Sequence, residues 1–339
     1  MMAQRILITG ISGFIAKHIA LKLLQNGYAV RGTVRALNKT EQIEKTLAAA
    51  GADITGLDFA AADLVSDDGW EDAAADCNGV IHVASPFPVA QPRDRDALTP
   101  AARDGALRVL RAARKTDKIV MTSSMAAMMY RANRPPVMAV GEEDWTDIGW
   151  SALSAYIVSK TGAEQAAWAL AADEGFKHRL TTVNPGFVLG PALDDDIGAS
   201  LEVIRLFLTG AYPAVPPVSY PVVDVRDVAE IHVKALETPE VGGRRLIAAA
   251  ETMSLKEIAE ILVEAFPDRA KKIPTRELPA LMVRIAANFD RNLASVIPDI
   301  GSKPQANTSY VSALTGIEFR TGREAAVAAA RSLEKIKAL

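Results

Sequence analysis

A short apolar run, Arg5–Thr9, passes directly into Gly10-Ile11-Ser12-Gly13 and then into an amphipathic stretch, Phe14–Asn26. In that stretch Ile15, Ile19, Leu23 and Leu24 share one helical face, and Gly27 stops it. A glycine turn joining a buried strand to a helix is compatible with few folds, and here the same alternation continues downstream. Strands are expected at Ala29–Val34, Ile54–Ala60, Gly79–Ala84, Ile119–Ser123 and Arg179–Asn184. Between them fall helices near Thr40–Ala50, Asp67–Ala75, Thr99–Lys115 and Ser151–Glu174. Repeated strand–helix units require a parallel sheet covered on both faces, so the expected fold class is α/β, a Rossmann-type doubly wound sheet.

Past Asn184 the rhythm breaks. Pro185, Pro191, Pro213, Pro216, Pro217 and Pro221 interrupt it, and helical stretches at Leu201–Leu208, Val225–Leu236, Ser254–Ala265 and Glu324–Lys337 are joined by irregular segments. The expected organisation is a dinucleotide-binding domain over residues 1–184, with segments near 222–250 returning to it, and a smaller, irregular substrate lobe over 185–339. Pattern alone does not decide where Arg245–Ala248 belongs, and Ala325–Ala330 reads as a helix surface because alanine favours helix.

At 339 residues, 49% hydrophobic and 23% charged, the chain reads as a folded soluble protein with a large core. A net charge of −3 gives no general attraction to nucleic acid or to an anionic membrane. Cys77 is the only cysteine, which excludes an intramolecular disulfide and a multi-cysteine metal site, and no metal site is expected. No apolar stretch reaches the about 18 residues a spanning helix needs, and no targeting segment precedes the first strand, so a cytoplasmic location is expected.

Several residues fall where the chemistry of such a sheet is done. Gly10 and Gly13, with Ser12, Phe14 and Ile15, would bring backbone N–H groups to a pyrophosphate at the positive end of the first helix. The end of the second strand carries no carboxylate before Glu41; it offers Arg35, helped by Lys39, which suit a ribose 2′-phosphate and point to NADP(H). Arg31 competes for that role, but strand alternation points it away. Asp63 and Leu64 follow the third strand and would meet an adenine edge, while Val83, Ala84 and Ser85 end the fourth. His82 reads as strand packing rather than as an acid–base group. Ser123 and Ser124 end the fifth strand, where a serine can donate to a substrate carbonyl. Tyr156 and Lys160, four residues apart, share a helix face, and a neighbouring cation is expected to lower the tyrosine pKa.

Together these motifs resemble the extended short-chain dehydrogenase/reductase family, closest to its dihydroflavonol reductase and cinnamoyl-CoA reductase subgroup of NADPH-dependent aldehyde and ketone reductases. The resemblance runs from Arg5 to about Val233. It rests on Thr9-Gly10-x-x-Gly13-Phe14-Ile15, Val30-Arg31-Gly32-Thr33-Val34-Arg35, Asp63-Leu64, His82-Val83-Ala84-Ser85-Pro86, Thr122-Ser123-Ser124, Tyr156-x-x-x-Lys160, Asn184-Pro185-Gly186-x-Val188-x-Gly190-Pro191 and Asp224-Val225-Arg226-Asp227-Val228-Ala229. It implies Ser124 as catalytic serine, Tyr156 as proton donor, Lys160 as holder of the nicotinamide ribose and acidifier of Tyr156, and Pro185 and Val188 beside the nicotinamide.

Two positions depart from the family. Gly105-Ala106-Leu107-Arg108 stands where Gly-Thr-x-Asn is common, which puts a relay through that asparagine in doubt, and Met125 is bulkier than the usual residue after the serine. Asp224 to Asp227 reads as a structural loop-to-helix junction.

The expected activity is reversible hydride transfer from NADPH to an aldehyde or ketone. Phe87, Met125 and Phe187 would stand beside Ser124 and Tyr156, and Asn184 to Pro191 with the Leu201–Leu208 helix would wall a pocket for a hydrophobic carbonyl or alcohol. A monomer or homodimer is expected. A nucleotide-sugar epimerase or dehydratase is the alternative on the same scaffold, opposed by Arg35. A non-catalytic NADP(H) sensor is the alternative from another class, opposed by the intact Ser124, Tyr156 and Lys160.

Overall fold

The computed structural model describes residues 3–86, 92 and 94–339. The first half alternates as expected: β1 (Arg5–Thr9), α1 (Phe14–Gln25), β2 (Ala29–Val34), α2 (Thr40–Ala49), β3 (Leu57–Ala61), α3 (Trp70–Ala74), β4 (Gly79–His82), α4 (Thr99–Ala112) and β5 (Lys118–Thr122). There follow β6 (Val137–Val140), α5 (Ala155–Asp173), β7 (Leu180–Pro185), β8 (Phe187–Leu189), α6 (Gly198–Thr209), β9 (Ser219–Asp224), α7 (Val225–Glu237), β10 (Arg245–Ala248) and β11 (Glu251–Ser254). The chain ends with α8 (Leu255–Ala265), α9 (Ala280–Ala286), α10 (Arg291–Ser295), β12 (Lys303–Ala306), α11 (Ser309–Thr315) and α12 (Gly322–Lys335).

Seven strands form one sheet in the order β10-β7-β5-β4-β1-β2-β3. All its pairings are parallel. Alternation along β1 divides the core: Ile6 and Ile8 pack with Ile19 and Leu23 of α1 and Val228 and Ile231 of α7, whereas Leu7 faces the opposite layer. There Val109 and Leu110 of α4 meet Ala163, Ala167 and Ala171 of α5, whose small side chains let the two helices lie close. The result is a three-layer sandwich. Arg245–Ala248, left open by the pattern, is the edge strand beside β7.

Two small sheets sit beyond the main one. β8 pairs in parallel with β9, and β9 runs antiparallel to β11. β6, missing from the sequence reading, pairs in parallel with β12 across the length of the chain. The β7–β8 junction turns at Gly186, where any Cβ would overlap the Pro221 carbonyl of β9. Asp224 caps α7, accepting from the Arg226 N–H at 2.8 Å and from its guanidinium, while Asp227 holds the Arg320 backbone N–H and side chain. That junction is therefore a structural tie to the segment before α12.

The alanine-rich segment corrects an expectation. α12 is a helix, but Ala325, Ala326, Ala329 and Ala330 are fully buried rather than on its surface, packed toward α8, α6 and β9. Small side chains are needed there because the helix lies close to its neighbours. Ala329→Leu is expected to lower stability by about 1–3 kcal/mol through overpacking, measured by urea denaturation, whereas Arg331→Ala on the exposed face should change it by less than about 0.5 kcal/mol.

Candidate active site

Parallel strands present their carboxyl ends on one edge, and a cleft of about 610 Å³ runs along that edge. It begins at the glycine loop. Gly10 adopts φ +65°, and a Cβ there would stand 2.9 Å from that of Ala84, so the loop takes this path only with glycine. The Gly10 N–H donates to the Thr33 hydroxyl at 3.0 Å and the Ile11 N–H to the Thr33 carbonyl at 3.2 Å, which pins the loop to the end of β2. Gly13 opens α1 with no side-chain cap among the described residues and no acid in the first turn. The first N–H groups of this helix thus remain available to an anion, which fits a dinucleotide pyrophosphate.

The next wall comes from β4. The Thr9 hydroxyl accepts from the N–H groups of Val83 (3.1 Å) and Ala84 (3.0 Å) and lies 2.8 Å from Nδ1 of His82. With both lone pairs engaged, its single proton goes to His82, which is therefore neutral with Nδ1 as acceptor. Burial, and then the nearby Lys160 charge, push the His82 pKa down to about 3. As its sequence context implied, His82 is strand packing; it engages the Thr9 hydroxyl, which in turn holds the Val83 and Ala84 N–H groups.

At the far end of the sheet, the Arg35 side chain lines the cleft after β2, and Asp63 and Leu64 line it after β3. Arg31 points away, bonded to Asp58 at 2.9 Å and to the Ala75 carbonyl at 2.9 Å. Arg108 is turned toward the loop after β3, donating to the Leu64 carbonyl at 2.8 Å and to Asp67. It braces the Asp63–Leu64 wall instead of occupying a relay position.

Ser124, Tyr156 and Lys160 meet at the centre of the same cleft. Ser154 caps α5 through the Ile157 N–H, which starts the helix one turn before Lys160 and presents Tyr156 and Lys160 on one face. Tyr156 and Ser124 line the cleft together, and the Ser124 side chain acts to lower the Tyr156 pKa. The Lys160 ammonium donates to the Thr122 carbonyl at 3.3 Å.

The electrostatics differ from the expectation that a neighbouring cation lowers the tyrosine pKa. Burial raises the Tyr156 pKa, with only the Ser124 side chain acting against it. Burial also lowers Lys160 to about 8, opposed by Glu164. Desolvation disfavours both charged forms, so the phenol stays neutral and the ammonium is weakened.

Of the sequence-derived candidates, Gly10, Ser12, Gly13, Phe14, Ile15, Arg35, Asp63, Leu64, Val83, Ala84, Ser85, Ser124, Tyr156, Lys160, Pro185 and Val188 all line the cleft. Three do not. Lys39 is exposed on the turn before α2. Met125 is buried among Met128, Met129 and Tyr130, because Ser124 caps a tight turn that carries it inward. Phe187 stacks on Tyr220 with ring centroids 5.4 Å apart. Phe87 lies outside the described residues. The α6 face expected to wall the pocket, Leu201, Ile204, Phe207 and Leu208, packs in the main core instead.

Sequence reasoning missed the layer beneath Ser124, Tyr156 and Lys160, in which Glu164 of α5 and Arg245 of β10 form a buried ion pair at 2.7 Å. The signal for Glu164 was its position one helical turn after Lys160; nothing local marks Arg245 as its partner. Among the described residues no helix is long and apolar enough to cross a membrane.

A family model described as the NAD dependent epimerase/dehydratase family matches residues 6–248. Cinnamoyl-CoA reductase 1 of Arabidopsis thaliana is 35% identical over 78% of this chain and 76% of its own length. Ketoreductase azaE of Aspergillus niger is 34% identical over 86% of this chain and 91% of its own. The crystal structure of yeast methylglyoxal/isovaleraldehyde reductase Gre2 with NADPH superposes with a TM-score of 0.81 at 25% identity, covering 99% of each chain. The chain belongs to the NAD-dependent epimerase/dehydratase (extended short-chain dehydrogenase/reductase) family, and within it to the NADPH-dependent reductases that act on aldehyde and ketone carbonyls.

Proposed function

We propose that Tyr156 is the proton donor and Ser124 the carbonyl-binding hydroxyl in the reduction of an uncharged aldehyde or ketone. The observation that carries this reading is the convergence of Ser124, Tyr156 and Lys160 inside the cleft that begins at the glycine loop. NADPH, when bound, supplies the hydride. Gly10, Ser12, Gly13, Phe14 and Ile15 would hold its pyrophosphate, Arg35 its 2′-phosphate, Asp63 and Leu64 its adenine side, and Val83 to Ser85, Pro185 and Val188 its nicotinamide side.

The raised Tyr156 pKa suits the reductive direction, because a neutral phenol is the form that can give up a proton. Two hydroxyls, from Ser124 and Tyr156, would converge on the substrate oxygen as negative charge develops there. Lys160, protonated below about pH 8, supplies a cation behind Tyr156 and a donor for the nicotinamide ribose.

The substrate reading rests on charge. Among the described lining residues the charged side chains are Arg35, Asp63 and Lys160, and the first two follow β2 and β3, across the sheet from Ser124. Apart from Lys160, which the proposal assigns to Tyr156 and the nicotinamide ribose, no described charge lines the cleft beside Ser124, which supports a neutral, hydrophobic substrate. Residues 185–339 are read mainly as the substrate lobe. A monomer or homodimer in the cytoplasm completes the proposal. The epimerase alternative is disfavoured by Arg35, which suits a phosphorylated cofactor rather than NAD.

Tyr156→Phe is expected to reduce kcat by roughly 10²- to 10⁴-fold while the NADPH Kd, read by quenching of protein fluorescence, stays close to wild type; retained turnover would remove Tyr156 from the donor role. Arg35→Glu should raise KM for NADPH by at least about 10-fold, the scale of one lost charge-assisted contact, with little effect on KM for NADH. An unchanged ratio would assign the 2′-phosphate to another group.

A further inference from the structure

Beneath Ser124, Tyr156 and Lys160 lies a buried polar cluster, centred on Glu164 and reaching the cleft lining at Ser123, that the proposed chemistry does not use. Glu164 is fully buried. Its Oε1 accepts from Arg245 Nε at 2.7 Å and Trp168 Nε1 at 3.2 Å, and lies 3.0 Å from the Thr182 hydroxyl. Its Oε2 accepts from the Ser123 hydroxyl at 2.6 Å, Asn184 Nδ2 at 2.8 Å and Arg245 Nη2 at 3.2 Å. Asn184 uses its second amide hydrogen on the Ser124 carbonyl at 3.2 Å.

The donors come from separate elements: Ser123 follows β5, Thr182 and Asn184 belong to β7, Trp168 to α5 and Arg245 to β10. Arg245 is itself held by the Glu142 carbonyl at 2.9 Å and lies 3.8 Å over the Trp145 ring. A carboxylate surrounded by donors on both oxygens has one orientation, and it transmits that orientation to the groups bonded to it.

We propose that Glu164 is a positioning residue of the active site: through Ser123 and Asn184 it fixes the segment that carries Ser124, and through its charge, one helical turn from Lys160, it keeps that lysine cationic. This rests on the catalytic reading of Ser124 and Lys160 above. The groups facing Lys160 support it. Tyr156 and Glu164 share its helix, the neutral His82 approaches from β4, the Thr122 carbonyl from β5, and Arg245 reaches it through Glu164. Burial drives the Lys160 pKa down, and Glu164 is the group that opposes the shift. Removing the Glu164 charge therefore lowers the Lys160 pKa further, and the ammonium is lost at a lower pH.

The test is Glu164→Gln, read in two ways. On protein labelled at the lysine side-chain nitrogen, NMR follows the titration of Lys160 without cofactor, its signal identified by its absence from Lys160→Arg. The expected result is a fall of about one pH unit. In turnover, kcat should fall roughly 10- to 100-fold, with the alkaline limb of its pH profile displaced downward in step and the NADPH Kd changed by less than about threefold, far short of the tenfold scale of a lost contact. A Lys160 titration that does not move, or a loss confined to thermal stability, would overturn the proposal.

If Glu164→Gln does not fold, Ser123→Ala removes one link and keeps the charge. It should lower kcat roughly threefold to tenfold without shifting the Lys160 titration, and an unchanged kcat would overturn the proposal. Because the titration needs no substrate, failure of this inference is distinguishable from failure of the catalytic reading, which would show as no turnover by the wild type.

Discussion

Parallel pairing of the seven strands is the constraint on which everything else in this molecule depends. It puts the carboxyl ends of β1, β2, β3, β4, β5 and β7 on a single edge, so residues as distant in sequence as Gly10, Arg35, Ser124 and Pro185 line one cleft. It also demands helices on both faces, and the alternation of Ile6, Leu7 and Ile8 along β1 supplies an apolar surface to each. The fold thereby delivers a helix N-terminus at one point of the edge and a tyrosine–lysine face at another.

Burial then decides the chemistry of those groups. The cation beside Tyr156 does not prevail over desolvation; the phenol is held neutral, and Lys160 is brought toward the physiological range. A buried ammonium in that position calls for a compensating charge, and Glu164 provides it. Glu164 in turn needs Arg245, because an unpaired carboxylate at that depth is costly; breaking such a buried pair typically costs about 3–5 kcal/mol. The positions of Ser124 and Lys160 are thus supported by a polar layer reaching to the edge strand β10, which gives that short strand a role beyond completing the sheet.

Much of this was legible in the residues. The strand–glycine–helix unit, the order of alternation and the spacing of Tyr156 and Lys160 are local patterns, and local patterns survive into the fold. What was not legible depends on distant packing. Val137–Val140 and Phe187–Leu189 are too short to read as strands until Lys303–Ala306 and Ser219–Asp224 lie beside them. The alanines of α12 read as surface because their composition says nothing about how closely a neighbour approaches. Met125 and the α6 leucines are apolar wherever they point, so only the turn geometry and the core assign them inward. The direction of the Tyr156 shift was missed for the same reason: proximity of a cation is visible in a sequence, but desolvation is not.

The most direct measurement of the central claim is the loss of reduced-nicotinamide absorbance when the purified protein meets a panel of neutral aldehydes and ketones, with NADPH and NADH in parallel. The account predicts cofactor oxidation by at least one neutral carbonyl, faster with NADPH than with NADH at subsaturating cofactor. Tight NADPH binding with no oxidation by any member of the panel would contradict it.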